Sequence, residues 1–133
     1  MSNKKILIVD DDPDIRLGMQ VRLRANDYDP FFAGDAVSAL IAAEKHKPDL
    51  VVLDLGLPGD DGFVVMQRFK QTPTVADIPI IVVSARDVRM AQARAIEAGA
   101  KAFLGKPFDD VELLALIRAT TGEPARSGKI FSA

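Results

Sequence analysis

The sequence predicts a single α/β domain built on a doubly wound, five-stranded parallel sheet. Two observations carry that expectation. Five short strand-like runs alternate with five amphipathic segments of helical length, and three of the runs (Ile-Leu-Ile-Val at 6–9, Leu-Val-Val-Leu at 50–53, Ile-Ile-Val-Val at 80–83) are apolar throughout. A strand covered on both faces by helices reads as a continuous apolar run, whereas a half-exposed strand alternates. Strands of that kind interleaved with helices imply parallel pairing with helical crossovers.

The elements follow in order. Residues 6–9 form the first strand. Residues 13–25 form the first helix, opened by Asp12 as N-cap and Pro13 at the first helical position. On it Ile15, Met19 and Leu23 make an apolar stripe, which Leu17 and Val21 widen either as more core or as a docking surface. The second strand, 28–33, contains Pro30, which cannot donate to a ladder and belongs at a sheet edge. A helix at 36–45, the strand at 50–53, a helix at 62–71 and the strand at 80–83 follow. The next helix, 87–98, stops at Gly99. A short strand at 101–104 leads to the last helix, 109–120, whose opening pair Asp109 and Asp110 suits the positive end of the helix dipole. From Gly122 the periodicity is lost, and Pro124, Ser127 and Gly128 mark a tail or the start of a linker. The domain is therefore expected to span 1–121, with 122–133 as tail or linker. Right-handed crossovers and the edge proline favour the strand order 2-1-3-4-5. Analogy with flavodoxin-like folds supports the same order.

Composition narrows the function. A chain of 133 residues, 48% hydrophobic and 27% charged, can fill one core without covalent staples. The absence of cysteine excludes disulfides, thiolate metal sites and thiol catalysis. A net charge of −2 supplies no bulk attraction to nucleic acid or anionic membrane. No apolar run reaches the length of a membrane span, and Asp10 comes too early for a signal peptide. The expectation is a soluble cytoplasmic protein that binds neither nucleic acid nor membrane directly.

Chemistry is expected beyond the carboxyl ends of the strands, where strand order reverses. The residues leaving the first strand are Asp10, Asp11 and Asp12, and Asp54 leaves the third. Ser84 follows the fourth strand, and Lys106 lies just past the fifth. Two unit charges about 5 Å apart at an effective dielectric of about 20 repel by roughly 3 kcal/mol. A hard divalent cation removes that cost, and Lys106 offsets part of it; carboxylates, a backbone carbonyl and water are the usual Mg²⁺ ligands. A carboxylate can also serve as nucleophile and form an aspartyl phosphate, with Lys106 and the Ser84 hydroxyl holding the phosphoryl oxygens. Plainer roles stand beside these. Asp12 is accounted for as an N-cap, Ser84 can cap the helix that follows it, and Phe103 can be simple core packing. The lone histidine, His46, sits near a helix end and is no phosphodonor. The segment 99–106 fails as a P-loop because its glycine spacing is wrong and Pro107 follows the lysine. The first turn has no glycine cradle for a dinucleotide or flavin phosphate.

Five segments taken together resemble the receiver (response regulator) family of two-component signalling. They are Ile6 to Asp11, Pro48 to Asp54, Leu57-Pro58-Gly59 through Gly62, Ser84-Ala85 and Lys106-Pro107-Phe108, and the resemblance covers about residues 4–121. It implies that Asp54 is the phospho-acceptor. Asp11 and Asp54 are direct ligands of Mg²⁺ (or Mn²⁺), Asp10 binds mainly through water, and the Gly56 backbone carbonyl completes the set. Ser84 falls on the family's hydroxyl switch position, Phe103 on its aromatic switch, and Lys106-Pro107 on its usual cis peptide. The implied donor is a sensor histidine kinase or a histidine phosphotransfer protein. The implied output is a downstream protein target, a covalently attached output domain outside this chain, or a phosphorylation-dependent homodimer. The chain departs from the commonest pattern at several positions. Serine replaces threonine at 84 and phenylalanine replaces tyrosine at 103. Gly56 stands where a side chain often tunes dephosphorylation, Asp61 where an apolar residue is usual, and Arg86 two residues past the switch serine. A phosphatase working through aspartyl phosphate usually needs a second aspartate where Gly56 stands. The resemblance therefore implies a signalling switch and not a turnover enzyme.

Overall fold

The computed structural model describes residues 3–56, 62–85 and 88–122. In chain order the elements are β1 (Lys4–Val9), α1 (Pro13–Ala25), β2 (Tyr28–Ala33), α2 (Ala36–His46) and β3 (Leu50–Asp54). They continue with α3 (Gly62–Gln71), β4 (Ile80–Ser84), α4 (Val88–Glu97), β5 (Ala102–Gly105) and α5 (Asp110–Thr121). The strands pair in parallel in the order β2-β1-β3-β4-β5, so the proline-bearing β2 is an edge strand as expected. Of the positions read from the sequence, Leu57-Pro58-Gly59, Asp61, Arg86, Asp87 and 123–133 lie outside the described residues.

Strand pleating splits the core into two layers. Ile6, Ile8, Leu50, Val52, Ile81 and Val83 pack against Met19 and Leu23 of α1 and Leu113 and Ile117 of α5. Leu7, Val9, Val51, Leu53, Ile80 and Val82 face the other way, against alanines of α2 and α4 and the larger side chains of α3. The sheet is thus sandwiched between α1 and α5 on one face and α2, α3 and α4 on the other. Full burial of such side chains stabilises by about 1.5–3 kcal/mol each relative to exposure. An ion pair between Arg22 and Asp110, and a bond from the Arg118 guanidinium to Asn26 Oδ1, tie α5 to α1.

Helix ends follow the capping signals. Asp12 caps α1 through the Asp14 N–H with Pro13 next to it. Asp35 caps α2, and Asp109 caps α5 in a reciprocal capping box with Glu112. The core reading of Leu17 and Val21 is overturned. They are 62% and 57% exposed, because at 3.6 residues per turn they point away from the buried Met19–Leu23 stripe. The last strand starts at Ala102 rather than 101, with Lys101 exposed and its N–H donating to the Ile80 carbonyl. No helix among the described residues is long and apolar enough to cross a membrane.

Candidate functional site

The register brings the carboxyl ends of four strands level. Val9 lies opposite Leu53, Asp54 opposite Val83, and Ser84 opposite Gly105. With β2 and β3 on either side of β1, the chain leaves β1 and β3 in opposite directions and opens a crevice between them. Asp10 and Asp11 emerge into it from β1, Asp54 from β3, and Lys106 from just beyond β5.

Local bonds fix these groups. The Asp10 N–H donates to the Ala33 carbonyl of β2 at 3.0 Å, and Asp10 Oδ1 accepts the Asp12 N–H at 2.9 Å. Asp12 therefore both caps α1 and orients Asp10. Asp54 Oδ1 accepts the Gly56 N–H at 3.0 Å, and Asp54 Oδ2 lies 3.2 Å from Lys106 Nζ. The same amine is 3.5 Å from Asp10 Oδ2. The Lys106–Pro107 peptide is cis, and the Lys106 N–H donates to the Ser84 carbonyl at 2.8 Å. One carboxylate oxygen from each of Asp10, Asp11 and Asp54 lies within 4.8 Å of the others.

Asp10 and Asp54 are 2% and 8% exposed, whereas Asp11 faces solvent. Burial pushes the Asp10 carboxyl above the ordinary aspartate range, and the nearby Asp54 charge adds to the rise. The Asp12 N–H and Lys106 oppose it. One ammonium thus serves two buried carboxylates, and a third carboxylate borders them. That donor set, all hard oxygen and short of positive charge, fits a divalent cation of the Mg²⁺ class.

The remaining expected residues are less tightly gathered. Ser84 is 1% exposed at the end of β4. It is the last residue of its strand and is followed by non-helical Ala85. Phe103 is half-buried on β5 and packs against the core layer beneath α2, α3 and α4. His46 ends α2 and stacks on Phe31, with ring centroids 4.0 Å apart, away from the acids. Sequence reasoning missed two features. The first is the Gly56 N–H bonded to Asp54. The second is the reason for Gly62: a Cβ there would stand 2.8 Å from Leu55 Cα. The spacing of Gly56 two residues past an acidic strand end is a turn signal that could have suggested the first. Beside the acids an apolar groove of about 470 Å³ runs between α1 and the segment after β5, lined in part by Ile15, Met19, Lys106, Pro107 and Phe108.

Comparison with known proteins converges on one family. The sequence model of the response regulator receiver domain matches residues 6–118. Among curated proteins, the chain is 40% identical over 118 residues to response regulator PleD of Caulobacter vibrioides, covering 88% of this chain and 26% of PleD. It is 39% identical over 115 residues to the DNA-binding dual master transcriptional regulator RpaA of a Synechocystis strain, covering 86% of this chain and 48% of RpaA. The chain thus spans less than half the length of these relatives. Among solved structures it superposes with a TM-score of 0.82, at 26% identity, on the receiver domain of the Pseudomonas aeruginosa sensor histidine kinase PA1611. That superposition covers 91% of this chain and 99% of the other, and the other structure has a magnesium ion coordinated in its active site cleft.

Proposed function

This chain belongs to the response regulator receiver domain family of two-component signalling, and from that premise we propose that Asp54 is the carboxylate on which it accepts a phosphoryl group. One observation carries the assignment: Asp54 ends the central strand nearly buried, with Lys106 on one oxygen and the Gly56 N–H on the other, beside two further acids. A carboxylate oxygen of Asp54 attacks the phosphorus of a phosphorylated imidazole on the donor. The P–O bond forms as the P–N bond breaks, the leaving imidazole takes up a proton, and an acyl phosphate remains. Asp11, Asp54 and the Gly56 backbone carbonyl would hold Mg²⁺ (or Mn²⁺) directly and Asp10 mainly through water, and the bound ion would neutralise charge on the phosphoryl oxygens. Lys106 shifts from the carboxylate to a phosphoryl oxygen, the Ser84 hydroxyl binds another, and Phe103 follows Ser84 inward as the switch residue.

The donor is a sensor histidine kinase or a histidine phosphotransfer protein, which approaches over the apolar groove beside Lys106. The result is a signalling switch that catalyses only its own phosphoryl transfer and dephosphorylation. Its output passes to a protein target, an attached output domain or a second copy, in the cytoplasm. Residues 1–121 form the receiver unit, and 122–133 serve as tail or linker.

Incubation with acetyl phosphate and Mg²⁺ tests the reading. One acid-labile phosphoryl group per chain is expected, lost in EDTA and in Asp54→Asn. Equal labelling of Asp54→Asn, or none of the parent, overturns it.

A further inference from the structure

Among its described side chains, helix α4 buries little apolar surface. The buried ones are Ala91 and Ala95, while Met90 and Ile96 are exposed. Two methyl groups bury far less apolar surface than Phe63, Val65, Met66 and Phe69 bury for α3. A contact from Arg94 to α3 also holds α4. The guanidinium carbon of Arg94 sits 3.9 Å from the centroid of the Phe63 ring, a cation–π geometry. Phe63 is buried, and its neighbour Gly62 is wedged against Leu55, the residue after Asp54. The Arg94 contact thus ties this helix to the piece of chain fixed against the acceptor strand.

We propose that Arg94 is a positioning residue, a latch whose contact with Phe63 holds α4 in place and couples its position to the state of Asp54. The latch belongs to the arrangement in which Lys106 is paired with the Asp54 carboxylate. Weakening it raises the population of arrangements in which α4 has moved, and such openings are least costly where few apolar contacts must break. By linkage, whatever eases the movement of α4 also eases the phosphorylation that accompanies it. Arg94 is exposed, so its substitution leaves the core intact. The inference rests on the reading of Asp54 as acceptor.

The test compares Arg94→Met and Arg94→Lys with the parent by hydrogen exchange of α4 amides, referenced to α5. The same proteins are labelled with acetyl phosphate and Mg²⁺. Arg94→Met is expected to speed α4 exchange and labelling by about two- to fivefold each, the size an exposed cation–π contact supports. Arg94→Lys, which keeps a cation over the ring, stays near the parent. Unchanged α4 exchange in Arg94→Met overturns the latch. So does faster exchange with an unchanged labelling rate, or a lysine variant that behaves like the methionine one. If the parent takes no label, the Asp54 reading fails and α4 exchange alone decides the latch.

Discussion

At the scale of single residues, Asp54 is held by contacts that leave little freedom around it. Gly62 is the least replaceable of these positions, because a side chain there would press on the backbone of Leu55 and not on a flexible neighbour. Gly62→Ala is expected to destabilise the fold by about 1–3 kcal/mol, the usual cost of overpacking, read as a lower urea midpoint at constant slope. A midpoint equal to the parent's would show that the site relaxes. Asp10, Asp11, Asp54 and Lys106 were legible in the sequence because each lies at the end of an apolar run, and topology alone carries strand ends to one edge. The need for glycine at 62, the second partner of Lys106 at Asp10 and the seat of Arg94 on Phe63 were not legible. Each depends on a distance between segments that sequence order does not bring together.

At the scale of elements, periodicity and caps did most of the work. Pro30 placed β2 at the edge, and Asp12-Pro13 fixed the start of α1. Exposure was harder to read. Leu17 and Val21 are as apolar as the residues that α1 buries, and only the helix's orientation against the sheet leaves them outside. The cap of α2 gives a prediction that depends on pH. Asp35 Oδ1 accepts both the N–H and the hydroxyl of Ser38 at 2.8 Å, and these bonds hold its carboxyl below the ordinary aspartate value of 3.8. A carboxyl whose pKa is lower folded than unfolded adds stability above the unfolded value and loses it as pH falls through the folded one. Asn at position 35 keeps a capping oxygen but does not titrate. On acidification below pH 3.8 the parent's urea midpoint should therefore fall more than that of Asp35→Asn. Parallel pH profiles would remove Asp35 from the acid response.

At the scale of the whole molecule, the site works against the fold that carries it. Asp10 is buried with its carboxyl pushed up, so its ionised form costs stability wherever the pH lies above its folded value. A bound divalent cation reverses that cost by mass action, about 2.7 kcal/mol at a free concentration 100 times the Kd. The parent's thermal midpoint is expected to rise with Mg²⁺. Asp10→Asn is expected to melt a few degrees higher than the parent in EDTA and to gain less from Mg²⁺. A variant that melts lower in EDTA, or gains as much from the ion, would contradict the assignment of Asp10 to the cation site. Chemical trapping tests the proposed role of Asp54 most directly. Borohydride converts a phosphorylated aspartate to homoserine, which peptide mass mapping locates. Homoserine is expected at position 54, formed with Mg²⁺ and absent in EDTA. Homoserine at a different aspartate, or at 54 in equal yield without a divalent cation, would contradict it.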